Sequence, residues 1–65
     1  MTFEELRKIF EGEIVSDEEF ELLNNFSEVE FNQVYSEPYR LFYEYTAISE
    51  NNDDCFNFYQ EIERI

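Results

Sequence analysis

The stretch YRLFYEYTAI, Tyr39 to Ile48, decides how this chain is read, because its apolar character is broken only by Arg40, Glu44 and Thr46. A helix with no continuous polar face belongs at the centre of a fold, covered on several sides. Pro38 stands just before it, and proline fits the first turn of a helix but not its interior, so Ser36-Glu37-Pro38 reads as a restart of the chain. On helical spacing Tyr39, Tyr43 and Ala47 share one face while Leu41, Tyr45 and Ile48 share another.

N-terminal to this segment, one local pattern occurs three times: an apolar residue, Ser or Thr, two residues, Glu, and a second apolar residue. It is Met1-Thr2-Phe3-Glu4-Glu5-Leu6, Val15-Ser16-Asp17-Glu18-Glu19-Phe20 and Phe26-Ser27-Glu28-Val29-Glu30-Phe31. In each, the hydroxyl can accept from the N3 amide, the Glu can accept from the cap amide, and the apolar pair can close a hydrophobic staple. Three helix starts are therefore expected, with Glu5, Glu19 and Glu30 completing the boxes. The first helix runs from about Phe3 to Phe10 with Phe3, Leu6, Ile9 and Phe10 on one face, and ends near Gly12. The second turns Phe20, Leu23 and Leu22 or Phe26 inward and stops around Asn24-Asn25. The third spans Glu28 to about Tyr35, offering Phe31, Val34 and Tyr35.

On the C-terminal side, SENNDD, Ser49 to Asp54, is the one clear loop. After it Cys55, Phe58, Ile62 and Ile65 form a stripe beside Phe56 and Tyr59, which predicts a last amphipathic helix. The expected architecture is all-α: a compact bundle of four or five short helices, without a strand, forming one domain over residues 1–65.

A chain of 65 residues buries a small core and is stable by a narrow margin. It carries 17 Asp and Glu against 4 Lys and Arg, a net charge of −13, yet 20 % of its residues are aromatic, which separates it from disordered acidic tails. The lone Cys55 cannot close an internal disulfide, MTFEEL has no basic, apolar export pattern, and no apolar run is long enough to span a bilayer; a cytoplasmic protein is expected. Anionic membranes and nucleic acid would both repel it.

Catalysis is poorly supplied. With no His, no glycine-rich phosphate loop and no nucleophile beside a base, the chain is read as a non-enzyme. Asp53 and Asp54 immediately before Cys55 disfavour its thiolate, so Cys55 is read as a small core residue. One Cys without His cannot build a closed zinc site. The loop also fails as a calcium-binding EF-hand: counted from Glu50, Cys55 falls where Gly is required and Asn57 where an apolar residue is usual. No metal and no cofactor are expected.

The remaining feature is charge. Caps and helix dipoles account for some carboxylates. They do not account for the absence of any Lys or Arg from Glu11 through Tyr39, since a merely soluble surface is better served by mixed signs. Glu11, Glu13, Asp17, Glu18, Glu21 and Glu28 are the candidate partner-binding residues, with Glu50, Asp53 and Asp54 as a second acidic patch. Carboxylates about 5–6 Å apart on helix faces can imitate the phosphates of a DNA strand. In size, charge and carboxylate density, carried by EGEIVSDEEFE and SENNDD, the chain resembles the small acidic DNA mimics of phages and mobile elements: anti-CRISPR, antirestriction and uracil-glycosylase inhibitor proteins. That resemblance implies a basic nucleic-acid-binding protein as partner and inhibition by occupancy of its groove. The alternative is an adaptor or homodimer that uses Tyr39 and Tyr43 as an exposed aromatic contact.

Overall fold

The computed structural model describes residues 1–64, so Ile65 and its place in the expected stripe lie outside the described residues. Two helices come first, α1 (Phe3–Phe10) and α2 (Asp17–Phe26), followed by three strands, β1 (Glu28–Glu37), β2 (Arg40–Ile48) and β3 (Cys55–Arg64). The strands form one antiparallel sheet in the order β1-β2-β3. The expected all-α bundle is thus corrected to a mixed fold in which two helices cover part of one sheet face.

Both helices start where the sequence places them, and for the stated reason. Thr2 Oγ1 accepts from the Glu5 amide while Glu5 accepts from the Thr2 amide. Ser16 Oγ accepts from the Glu19 amide and Glu19 accepts from the Ser16 amide at 2.8 Å. Hydrogen bonds from Thr2 lower the Glu5 pKa, so the first box contributes stability above the ordinary glutamate range that fades as pH falls through the depressed value. The third box does not form. Ser27 instead closes α2, its hydroxyl donating to the Leu23 carbonyl at 2.6 Å, and Glu30 lies within β1.

The segment read as a central helix is the central strand. As a strand it sends Tyr43, Tyr45 and Ala47 to the helix side and Phe42, Glu44 and Thr46 to the other, so an all-round apolar helix becomes a sheet with two different faces. Pro38 does interrupt the chain, but inside a two-residue hairpin turn between Glu37 and Arg40, with Tyr39 taking the left-handed conformation (φ 68°). Proline at the first central position and positive φ at the second is the type II pattern.

The main core lies between the helices and one half of the sheet: Leu6, Phe10, Val15, Leu23, Ala47, Phe56 and Phe58 form one buried cluster. Phe20 packs edge-on against Tyr45 at 4.9 Å between ring centroids, and Phe3 lies 5.3 Å from Phe56. Ile9 and Phe26, both candidates for the core, are exposed. On the helix-free face Glu44 gathers donors from three side chains, Asn32 (3.4 Å), Gln33 (3.2 Å) and the Tyr59 hydroxyl (3.1 Å). Neighbours Asn32 and Gln33 both reach it because the register skips Asn32, a bulge. Phe42 is buried on this same face, with Arg40 over its ring at 4.8 Å.

Between the helices, residues 11–16 run along the outer edge of β3. Gly12 donates to the Asn57 carbonyl at 2.8 Å, Tyr59 donates to the Glu13 carbonyl at 2.9 Å, and Val15 donates to the Tyr59 carbonyl at 2.8 Å, a short parallel pairing around Ile14. Gly12 makes the bend possible at φ 74°.

Ser16→Ala should lower unfolding free energy by about 0.5–2 kcal/mol, and Gly12→Ala by about 1 kcal/mol through its left-handed backbone. Glu30→Ala should leave the urea midpoint where it is, since no box depends on it.

Candidate functional site

Glu11, Glu13, Asp17, Glu18, Glu21 and Glu28 are all exposed. The fold brings most of them together. Glu11 and Glu13 lie on the β3-edge segment, Asp17 and Glu18 open α2, and Glu21 stands on the same outward surface, one turn on from Asp17. Two anchors fix this strip: the ladder to β3 holds the backbone at Glu13, and Gln60 Nε2 donates to Asp17 Oδ1 at 2.6 Å. Glu11 is partly neutralised by Arg7, 3.4 Å away. Among the described residues no ion pair reaches Glu13, Asp17, Glu18 or Glu21; the pairs present are those of Arg7 and Arg40.

Glu28 does not join them. It begins β1, three strand spacings or about 14 Å across the sheet from the segment bearing Glu13. Its neighbour is Glu50: with Asn25, Phe26 and Ser27 these two carboxylates line an open depression of about 450 Å³ at the end of the molecule.

The second acidic patch separates in the same way. Ser49 to Asp54 joins two strands, not two helices, so the helix–loop–helix frame of a calcium loop is lacking. Asp53 accepts from the Ser49 hydroxyl at 2.6 Å, Ser49 in turn accepts from the amides of Asp53 and Asp54 at 3.2 Å, and Asp54 pairs with Arg7. These two aspartates hold the turn; Glu50 alone faces outward without such a role. Arg7 is held protonated above its ordinary value, chiefly by the hydrogen bond to Asp54, as Arg40 is by Glu61. Among the described residues no group of three His, Cys, Asp or Glu is arranged to hold a metal. Cys55, expected in the core, is exposed at the start of β3, because strand alternation turns it away from Phe56.

The aromatic pair is also redistributed. Tyr39 caps the hairpin turn at 73 % exposure, whereas Tyr43 lies on the helix side of the sheet, 5.6 Å from Phe31. They share no face. What the helical reading missed is the patch around Tyr43, made with Phe31 (55 % exposed) and Val34 (53 %), where the sheet extends beyond the helices. The period-two alternation of Glu28-Val29-Glu30-Phe31 was the available signal.

No protein-family model, curated protein or solved structure matches this chain. No helix among the described residues is long and apolar enough to cross a membrane.

Tyr45 and Tyr59 carry raised pKa values, in both cases chiefly from burial, with the bond to Glu44 adding to the effect at Tyr59. A raised phenol favours the neutral form in the fold, so its contribution is complete below tyrosine's ordinary value near 10 and is lost as pH climbs through the raised one. An absorbance titration should show Tyr45 and Tyr59 ionising last, and Tyr59→Phe should reduce the loss of stability above pH ~10.

Proposed function

We propose that this protein is a non-enzymatic inhibitor whose acidic strip occupies the nucleic-acid groove of a basic protein, in the manner of an anti-defence DNA mimic acting in the cytoplasm of a host cell. The observation that carries this reading is the strip Glu13-Asp17-Glu18-Glu21, open to solvent, fixed by backbone and side-chain bonds, and without an ion pair among the described residues. Repulsion among such charges costs a few tenths of a kcal/mol per helical pair, an expense in a fold of narrow stability unless the field is used. A concentrated negative potential accelerates encounter with a cationic groove and orients the complex. Docking then excludes the nucleic acid by occupancy, with no bond made or broken. Glu11 contributes at the edge of the strip, while Glu28 and Glu50 form a separate, weaker contact region.

The second reading, an adaptor or homodimer held by aromatic anchors, is favoured by the exposed patch of Phe31, Val34 and Tyr43. Salt separates the two, because charge contacts weaken steeply with ionic strength and aromatic contacts do not.

Affinity capture from a bacterial lysate at low salt, with elution by duplex DNA and identification of the released protein, tests the proposal. Elution of a basic nucleic-acid-binding protein supports it, together with loss of capture by the Glu13→Lys, Asp17→Lys, Glu18→Lys, Glu21→Lys variant at unchanged circular dichroism. Capture that is indifferent to DNA, to salt and to those substitutions would refute it.

A further inference from the structure

We propose that β1 is a second docking surface, an open edge to which an extended segment of the partner with alternating cationic and apolar side chains adds as a further strand. This rests on the reading that the partner is a basic protein.

The two outer edges of the sheet are not alike. That of β3 is covered over Asn57 to Tyr59 by the hydrogen bonds around Ile14, whereas β1 pairs, among the described residues, only with β2. It is a ten-residue edge strand in which every residue except Val29 is exposed. Long bare edges are templates for pairing, and proteins protect them with charge, bulges or short length. Here the protection is selective. Glu28, Glu30 and Glu37 lie on the helix-free face, opposite Ile48, Thr46 and Arg40, while Val29, Phe31 and Val34 lie on the other, opposite Ala47, Tyr45 and Tyr43.

A second copy fits this edge poorly. Antiparallel self-pairing in the register that matches the two faces of the strand, centred between Asn32 and Gln33, brings Glu28 of one molecule beside Glu37 of the other, and like charges directly opposite one another are destabilising. Arg40, opposite Glu37 on that face, is already paired with Glu61 at 2.9 Å. A strand bearing Lys or Arg on the helix-free side and aliphatic or aromatic residues on the other answers both faces of β1 together. Main-chain bonds supply its affinity and the two faces its selectivity. Its apolar side chains would extend the bare patch of Phe31, Val34 and Tyr43, which the helices leave uncovered.

The probe is a capped nonapeptide of alternating lysine and valine. It is compared with a peptide of the same composition in two blocks, and with one N-methylated at alternate amides so that it keeps its charge but cannot pair along one edge. With the full chain labelled with ¹⁵N, the alternating peptide should shift and protect amides of Phe31 to Glu37, N-methylation should weaken binding about tenfold or more, and Val34→Lys should do the same while the unbound spectrum keeps its fold. Equal binding by all three peptides, with shifts confined to Glu13–Glu21, would overturn the strand-addition proposal and leave the acidic strip standing. Concentration-dependent shifts at β1 in the absence of peptide would overturn it in favour of a second copy. Failure of every basic peptide to bind would overturn this inference, while the proposed function is decided separately by the lysate capture and its charge-reversed variant.

Discussion

Leu6 from α1, Leu23 from α2 and Phe58 from β3 are fully removed from solvent in one cluster, and the positions of all other elements follow from that contact. Burying each such side chain is worth about 1.5–3 kcal/mol, in a chain whose total stability is of the order of several kcal/mol. The helices are short, 8 and 10 residues, and cannot cover the whole of three long strands. They settle over the half of the sheet carrying Ala47, Phe56 and Phe58, and the 37 Å length of the molecule continues past them. The bare half is therefore a geometric result of a small core serving a long sheet.

The same constraint sorts the carboxylates. Those at helix starts and in the β2–β3 turn hold backbone amides or an arginine, as Glu5, Glu19, Asp53 and Asp54 do. Glu13, Glu18 and Glu21, on the outer surface of α2 and the segment before it, hold neither a backbone amide nor an arginine among the described residues. An acidic sequence thus yields one outward strip next to the covered edge of the sheet, with Glu28, Glu30 and Glu37 along the uncovered one and Glu50 beside Glu28.

Legibility in the sequence followed the range of the interactions. The two N-terminal helices are written in local chemistry, a hydroxyl and a carboxylate three residues apart, and both boxes form with the expected partners. Ser27 and Glu30 carry the same spelling and take another structure, since Val29, Phe31 and Val34 gain more from pairing with β2 than a capped turn returns. Tyr39 to Ile48 shows why length and composition had to arbitrate where periodicity could not: β-branched and aromatic residues dominate it, and a buried strand and a buried helix have the same apolar profile. Of the candidate site, Glu13, Asp17, Glu18 and Glu21 were legible because they lie close together along the chain. Glu28 was misplaced, and the patch of Phe31 and Val34 beside Tyr43 was missed, because sheet pairing decides what surrounds them.

The segment around Ile14 that lies along β3 has a further consequence for assembly. Linear growth of sheet upon sheet needs two sticky margins on every subunit, one to receive and one to offer. Here the middle of one margin, Asn57 to Tyr59, is occupied by the chain's own backbone, so an incoming strand cannot pair along the whole of it. A protein with a bare ten-residue strand and a marginal core thus has its other margin blunted by four residues of connecting loop, Gly12 to Val15, the last of which also belongs to the buried cluster.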